Sequence, residues 1–273
     1  MDIKTALSEA KIDNLDAQLL LMEVTGLSKV ELITKDCQEL NENQIEYYKE
    51  LVKRRENHEP IQYILNKTEF MGLNFYVDKN VLIPRADTEL LVEEALFYIE
   101  NKNLKTAIDL CAGSGCIGIS VAKLSGIEKM TCVDISQEAL AIAQKNAISN
   151  GVEQKINFTK SDMFTDIRSN KKEVDILLSN PPYIETEIIK TLENNVKNYE
   201  PKLALDGKDD GLYFYRIIAK NAKDYLTDEG IIILEIGYNQ KKSIEKLFEN
   251  YDDIIIKKDY AGLDRIAIIR KKA

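Results

Sequence analysis

The chain has no tryptophan and only one histidine, His58, among its 273 residues. That histidine lies in the N-terminal part, so chemistry placed further along must proceed without an imidazole base. Four cysteines, Cys37, Cys111, Cys116 and Cys132, follow no Cys-x-x-Cys spacing. With one histidine beside them they argue against a structural zinc site and for reduced thiols. No apolar run of about 18 residues or more occurs, and Met1-Asp2-Ile3-Lys4 carries no apolar signal core, so a cytoplasmic protein without a membrane partner is expected. A net charge of -9 disfavours affinity gained by neutralising phosphates, and no stable nucleic-acid partner is expected. What remains, 44% hydrophobic and 30% charged, is the make-up of an ordinary globular chain.

Residues 1 to about 58 contain no proline and no glycine except Gly26. Leu15, Leu19 and Met22 recur at helical spacing after Asp13 or Asn14 as cap, and Ile45, Tyr48, Leu51 and Val52 do so again. Ser28 is placed to cap a shorter helix between them. Such short helices bury little alone, so they should pack on one another. Lys53-Arg54-Arg55 reads as a solvated helix end that complements the dipole. After Pro60 the stretch 69–77 alternates and is followed by Val81-Leu82-Ile83, a hairpin-like connector with its turn expected near Asp78-Lys79-Asn80. Ile83-Pro84-Arg85 then opens a helix to about Asn101, with Asp87 or Thr88 as N-cap. Capping leaves Arg85 unexplained.

From Lys105 strands and helices alternate, which implies βαβ units and a mostly parallel sheet. The first strand, 106–110, runs into Gly113, Gly115 and Gly118 at G-x-G-x-x-G spacing, and Asp134 ends the second strand about 20 residues on. These glycines let backbone approach a ligand while the acid accepts bonds from ribose hydroxyls, the signature of an adenosine-bearing cofactor. Asp109, ahead of the loop, would repel a pyrophosphate and could hold a cationic amino-acid tail, which favours S-adenosylmethionine. Asp162 is placed to bond an adenine amino group. Met163 and Phe164 are placed to pack on its faces, with core packing an equal account of one of them. Tyr213, Phe214 and Tyr225, on a helix over 212–226, read as core or interface. The last two strands, 252–258 and 265–270, are joined by too few residues for a crossover helix and should be antiparallel. A parallel sheet ending in an antiparallel strand is the class I methyltransferase pattern.

The strand Asp175-Ile176-Leu177-Leu178-Ser179 halts at Asn180-Pro181-Pro182-Tyr183, because prolines cannot continue a ladder. In an open α/β sheet the carboxyl edge is where ligands sit. Asn180 offers an amide oxygen, Pro181 a carbonyl and Tyr183 a flat ring, which suits a planar group bearing an NH2. An Asn-Pro dipeptide alone reads better as a turn. The cofactor fingerprint at the same sheet edge is what favours an acceptor pocket.

Several segments together resemble the glutamine N(5)-methyltransferases of peptide chain release factors. They are Pro60-Ile61-Gln62-Tyr63-Ile64, Glu69-Phe70-Met71-Gly72-Leu73, Ile83-Pro84-Arg85 with Thr88-Glu89, Asp109-Leu110 with Gly113-Ser114-Gly115, and Asn180-Pro181-Pro182-Tyr183. Tyr199-Glu200-Pro201, Asp210-Gly211-Leu212 and Ala261-Gly262-Leu263-Asp264-Arg265 extend the likeness over most of the chain. Departures are Ala86-Asp87 for the usual Pro-Glu, Cys111-Ala112 for Gly-Thr, and Lys202 for Arg. The resemblance implies an α/β fold, a class I S-adenosylmethionine-dependent methyltransferase with a Rossmann-like sheet and a small N-terminal helical domain. It divides the chain into a substrate-docking domain at 1–68, a hairpin connector at 69–84 and a methyltransferase domain at 85–273.

It further implies Asp109, Cys111, Ala112, Gly113, Ser114, Gly115, Asp134, Asp162, Met163, Phe164 and Asn180 around S-adenosylmethionine and its product S-adenosylhomocysteine. Asn180, Pro181, Pro182 and Tyr183 would carry the catalysis and, with Arg85, hold the substrate. The partners implied are class I peptide chain release factors, whose Gly-Gly-Gln loop enters the site, and a monomer is expected. Two rival readings stand beside it: a methyltransferase acting on adenine N6 or guanine N2, and a non-catalytic cofactor-binding adaptor.

Overall fold

The computed structural model describes residues 1–167 and 173–271, and the expected domain end at 273 lies outside them. The chain divides into two compact units, Met1–Lys67 with Glu193–Tyr199, and Thr68–Leu192 with Glu200–Ala273.

The first unit holds helices α1 (Ile3–Glu9), α2 (Asn14–Thr25), α3 (Lys29–Thr34), α4 (Glu42–Glu56) and α5 (Ile61–Leu65). Local chemistry sets their ends. Asp13 caps α2, and Gly26 closes it at φ 71°, where a side chain would be strained. Ser28 with Glu31 and Asn41 with Gln44 form reciprocal capping boxes that start α3 and α4. The apolar stripes meet in one core that includes Ile3, Leu20, Leu21, Leu32, Tyr48 and Leu51. The basic run ends α4, and two of its members are paired within this unit, Arg54 with Glu59 and Arg55 with Asp16, both at 2.6 Å. Tyr199 belongs here too, its hydroxyl donating to the Asn57 carbonyl at 2.6 Å.

The second unit opens with a two-stranded hairpin, β1 (Thr68–Phe70) and β2 (Leu73–Phe75). Its turn is at Met71 and Gly72, both at positive φ, so the expected turn at 78–80 is corrected. The reason is distant in sequence: the Glu89 carboxylate accepts the Met71 N–H at 2.6 Å and holds the tight reversal. Residues 81–83 form no strand. Helix α6 (Ala86–Lys102) has Arg85 at its N-cap position, which corrects the expectation of Asp87 or Thr88 there.

A seven-stranded sheet follows, built from β3 (Thr106–Leu110), β4 (Lys129–Asp134), β5 (Ile156–Lys160), β6 (Val174–Ser179), β7 (Leu226–Glu235), β8 (Asp253–Lys258) and β9 (Asp264–Arg270). Its order is β5-β4-β3-β6-β7-β9-β8. The first five strands in that order are mutually parallel. β9 lies antiparallel to both β7 and β8, as the short connection requires. Along β6 and β7 the side chains alternate between two cores: Ile176, Leu178, Ile231 and Ile233 face one, and Leu177, Ile232 and Leu234 the other. Helices α7 (Cys116–Leu124) and α8 (Gln137–Asn150) complete the βα units beside β3 and β4. Strand order reverses between β3 and β6, the switch point that leaves a crevice at the carboxyl edge.

α7 can lie close to the sheet only because of Gly118. A Cβ there would stand 2.6 Å from the Cys132 sulfur and 3.1 Å from Asp109 Oδ2. This third glycine of the fingerprint therefore serves packing and not the ligand. Gly118→Ala is expected to destabilise the protein by about 1–3 kcal/mol in urea unfolding, the range for an overfilled core. The double variant Gly118→Ala/Cys132→Ala should fall short of the sum of the single losses by roughly 0.5 kcal/mol or more.

Candidate active site

Four turns meet at the carboxyl edge around one cavity of about 420 Å³. The turn after β3 contributes Cys111 and Gly113, the end of β4 Asp134, the turn after β5 Ser161, Asp162 and Met163, and the turn after β6 Asn180 and Pro182. Lys79, Asn80, Val81 and Leu82 close one side, and Leu203, Ala204, Lys208, Tyr213 and Phe214 another. The Ser179 hydroxyl donates to the Leu110 carbonyl at 2.7 Å and ties the ends of β3 and β6 together at the switch point.

The glycine loop is held from beneath. Asp134 Oδ2 accepts the Gly113 N–H at 2.8 Å and its Oδ1 accepts the Ser136 N–H at 2.9 Å. With the Ile135 N–H also donating to it, this carboxylate keeps only part of its acceptor capacity for a ligand. Burial raises this carboxyl above its ordinary range, while bonds from Ser136, Gly113 and Ile135 oppose the shift. Gly113, at φ +55°, has open space where a Cβ would stand, so the backbone there can be approached closely. Gly115, at φ +78°, faces Ile119 and Ala143 instead. Ala112, Ser114 and Gly115 shape the loop without lining the cavity. Ser114 is held from α8, where the fully buried Asn146 donates to the Ser114 and Tyr76 carbonyls and accepts the Tyr76 N–H.

Cys111 and Met163 both line the cavity, both have positive φ, and their sulfurs lie 3.7 Å apart. Non-glycine residues in the left-handed region cost about 1–2 kcal/mol each. Two in contact at a cavity mark a place where the fold stores strain. Burial, the largest cause, pushes the Cys111 thiol well above its usual value. Asp162 is exposed at the cavity, and Phe164 is in the core, stacked on Tyr225 at 5.0 Å between centroids. Of the pair expected to flank a base, only Met163 is therefore free to do so.

Asp109 departs most from expectation. It is 0% exposed and does not reach the cavity. Its Oδ2 accepts the Gly118 N–H at 2.9 Å, and its Oδ1 has no partner among the described residues. Burial foremost, and then the Asp134 charge, push this carboxyl up to about 7, against the bond from Gly118.

Around Asn180 the arrangement is specific. The Asn180 Nδ2 donates to Thr88 Oγ1 at 3.2 Å, and Thr88 Oγ1 donates to Glu235 Oε2 at 2.5 Å. The Tyr183 hydroxyl donates to Glu235 Oε1 at 3.2 Å. No hydrogen bond among the described residues claims Asn180 Oδ1 or the Pro181 carbonyl. Tyr183 and Pro181 do not line the cavity, and Tyr183 packs against the core instead. The 205–211 turn packs against its backbone and that of the next residue: Gly207 N–H donates to the Ile184 carbonyl at 2.8 Å, and a Cβ on Gly211 would stand 2.3 Å from the Tyr183 carbonyl oxygen. Arg85 is paired with the buried Glu200, whose other oxygen accepts the Ile83 N–H at 3.4 Å. That pair explains Arg85 without a substrate.

Sequence reasoning missed Thr88, Glu235, Tyr213 and Phe214. The two aromatic residues, read as core or interface, line the cavity edge to face at 5.1 Å, while Phe214 and Tyr225 both also pack against the core. The signal for Thr88 was a hydroxyl between two acids in the first turn of a helix, and for Glu235 an acid ending a strand of isoleucines.

Residues 2–65 match the family described as PrmC N-terminal domain, and residues 86–208 the Methyltransferase small domain. The chain is similar, at 41% identity over 259 residues, to the release factor glutamine methyltransferase of Clostridium botulinum, with 94% of this chain and 92% of that one covered. It is 40% identical over 255 residues to the protein of that name from Clostridium acetobutylicum, covering 93% and 90%. Among solved structures, a methyltransferase from Pyrococcus furiosus is similar in fold, with a TM-score of 0.53 at 16% identity over 75% of this chain and 91% of that one. The seven-stranded sheet with its antiparallel C-terminal strands is the class I methyltransferase fold.

Asp109 makes stability depend on pH. Its folded carboxyl titrates at about 7 against an ordinary 3.8, so between those values the folded state holds a proton that the unfolded state has lost. Stability from this group is present in acid and falls as pH rises towards 7. Asp109→Asn, whose amide oxygen can still accept from Gly118, should gain on the parent between pH 5 and 7 by up to about 1.4 kcal/mol per pH unit. Urea unfolding of both proteins at pH 5 and 8 measures it, and parallel curves would contradict it.

Proposed function

This chain belongs to the release factor glutamine methyltransferase family, and from that membership we propose that it transfers a methyl group from S-adenosylmethionine to the side-chain amide nitrogen of the Gly-Gly-Gln glutamine of class I peptide chain release factors. The observation that carries the reading is the cavity itself, which Gly113, Asp134 and Asn180 line together, with the Asn180 Oδ1 unclaimed by any hydrogen bond among the described residues; the adjoining Pro181 carbonyl, outside the lining, is equally unclaimed. A cytosolic location fits that partner. No helix among the described residues is long and apolar enough to cross a membrane.

The residues present fit the cofactor. The open face of Gly113 admits a close approach, the spare lone pairs of Asp134 suit ribose hydroxyls, Asp162 suits an exocyclic amine, and Met163 offers an apolar contact. When bound, S-adenosylmethionine supplies an electrophilic methyl on a sulfonium and leaves as S-adenosylhomocysteine.

The chain's own task is to make a poor nucleophile reactive. An amide nitrogen shares its lone pair with the carbonyl. Two N–H bonds, one to Asn180 Oδ1 and one to the Pro181 carbonyl, fix that nitrogen, favour its pyramidal form and direct the lone pair. As the nitrogen gains positive charge these two carbonyl dipoles stabilise it, and one of its two N–H protons is released to solvent as the N-methyl amide forms. Orientation of this kind is worth roughly 7–11 kcal/mol, which is the scale available where no histidine base stands. Leu82, Pro182, Leu203 and Phe214 on the cavity wall keep water from competing for those acceptors.

Asn180→Ala is expected to lower single-turnover methylation of a purified release factor by on the order of 100-fold, as misplacement of a reacting group does. Cofactor affinity measured by calorimetry should change by no more than about 1 kcal/mol, one neutral hydrogen bond. Turnover equal to the parent's would reduce Asn180 to a turn residue. Methylation of adenine or guanine in place of the glutamine would move the activity to nucleic acid.

Docking of the release factor is assigned to the N-terminal helices, which carry none of the cofactor or acceptor motifs. On α3, Val30 and Ile33 are 68% and 69% exposed and share one face. The Val30→Asp/Ile33→Asp variant should lose at least about fivefold in efficiency on the whole release factor, the scale of one important interface contact. Its cofactor affinity should hold, and undiminished efficiency would contradict the assignment.

A further inference from the structure

Thr88 and Glu235 do not line the cavity, and nothing in the proposed reaction requires them to touch substrate or cofactor. They are nevertheless the residues on which the Asn180 side chain rests. A carboxamide can sit either way round with nearly the same shape, and the two orientations have opposite chemistry. One turns an acceptor to the cavity and the other a donor. Only an acceptor can hold the N–H of an incoming amide.

The bonding around Glu235 removes the ambiguity. Glu235 is 2% exposed at the end of β7, and each of its oxygens receives a hydroxyl, Thr88 on Oε2 at 2.5 Å and Tyr183 on Oε1 at 3.2 Å. Its backbone carbonyl is fixed as well, accepting from the buried Tyr215 hydroxyl at 2.8 Å. Thr88 has one hydroxyl proton, and it is given to Glu235. Towards Asn180 the Thr88 oxygen can therefore only accept, so Asn180 must present Nδ2, as it does at 3.2 Å. Oδ1 is then left as the free end of a side chain that lines the cavity. We infer that Glu235, acting through Thr88, is a positioning residue that sets which way round the Asn180 carboxamide faces, and so makes the cavity selective for an N–H-bearing acceptor.

This inference deepens the proposed function and rests on it for the substrate, while the orientation itself can be read without turnover. In Glu235→Gln the new amide can offer an N–H to Thr88 Oγ1. When it does, the Thr88 proton is released towards Asn180 and the carboxamide turns its NH2 to the cavity, whereas an N–H given to the Tyr183 oxygen leaves Asn180 as in the parent, so Thr88→Val is the decisive variant. Thr88→Val keeps shape and removes the hydroxyl, whereas Thr88→Ser keeps the hydroxyl.

The test uses the whole chain in three variants, Glu235→Gln, Thr88→Val and Thr88→Ser. Single-turnover methylation of a purified release factor and S-adenosylmethionine affinity are measured for each. Thr88→Val is expected to lose about tenfold or more in rate, since a reacting group is misoriented, and Glu235→Gln to fall between it and the parent, with cofactor affinity in both changed by less than about threefold. Thr88→Ser should keep the parent rate to within about threefold, because it keeps the hydrogen bond at the small cost of a methyl group. A parent-like rate in Thr88→Val would overturn the inference, and so would an equal loss in Thr88→Ser and Thr88→Val, which would mean packing alone.

A second measurement does not depend on the substrate. In nitrogen-15-labelled protein the Asn180 side-chain NH2, assigned with Asn180→Ala, should exchange slowly with solvent in the parent and in Thr88→Ser and faster in Thr88→Val. Equal exchange in all three would overturn the orientation argument. If the parent methylates no release factor, the functional reading fails, and the exchange result still decides the orientation. Should Glu235→Gln not fold, the two Thr88 variants carry the test.

Discussion

A carboxylate buried at the end of a hydrophobic strand is tolerated only where hydrogen bonds replace the water it has lost. Glu235 meets that condition with hydroxyls from Thr88, Tyr183 and, on its main chain, Tyr215. Burial raises its carboxyl above the ordinary range, while the Thr88 bond, the nearby Arg265 charge and the Tyr183 bond pull the other way. Arg265 is in turn held by Asp259, which also caps the turn between β8 and β9 by accepting from Ala261 and Leu263. Three segments far apart in the chain are thus tied to one residue: the start of α6, the turn after β6 and the helix Tyr213–Tyr225. Such a network is either fully satisfied or costly, so these segments keep their mutual register or lose it together.

The same economy governs the other side of the cavity with different means. Asp134 fastens the glycine loop through its carboxylate and also lines the cavity. Asp109 lies below that loop, with one oxygen on Gly118 and the other alone. Two acids at the ends of neighbouring strands therefore divide the work by depth. The shallower can meet a ligand. The deeper fixes how closely α7 approaches the sheet.

What the chain discloses in advance follows from what is local. The carboxyl end of β6 was placed at Ser179 because a mostly apolar run met two prolines, and Ser28 announced the start of α3 by its own side chain. The β8–β9 pair followed from the length of a connection. The site was partly legible for the same reason: Gly113, Asp134, Asp162, Met163 and Asn180 stand at strand ends and do line the cavity. What was not legible depends on partners remote in sequence. The hairpin turn sits at Met71 because Glu89 accepts its N–H, and Arg85 faces Glu200 across 115 residues of chain. Tyr213 and Phe214 show an aromatic pair whose face is decided by packing that no periodicity reports. Phe164 shows the reverse case.

The departure at Cys111 shows how such distant constraints outweigh local preference. The resembled family usually has glycine there, and the backbone keeps the conformation that glycine favours, at φ 60°. Cysteine accepts the strain because both flanks are fixed independently of it. Leu110 completes β3 and receives the Ser179 hydroxyl, and the Ala112 N–H donates to the Val133 carbonyl at 3.0 Å. The thiol then finds the Met163 sulfur across the turn, where that residue is itself at φ 52°. A side chain that could relax its own backbone would have to break two bonds between strands to do so. Each of those bonds contributes about as much as the strain costs, so the loop holds its shape, and the substituted residue becomes part of the cavity wall and leaves the course of the chain unchanged.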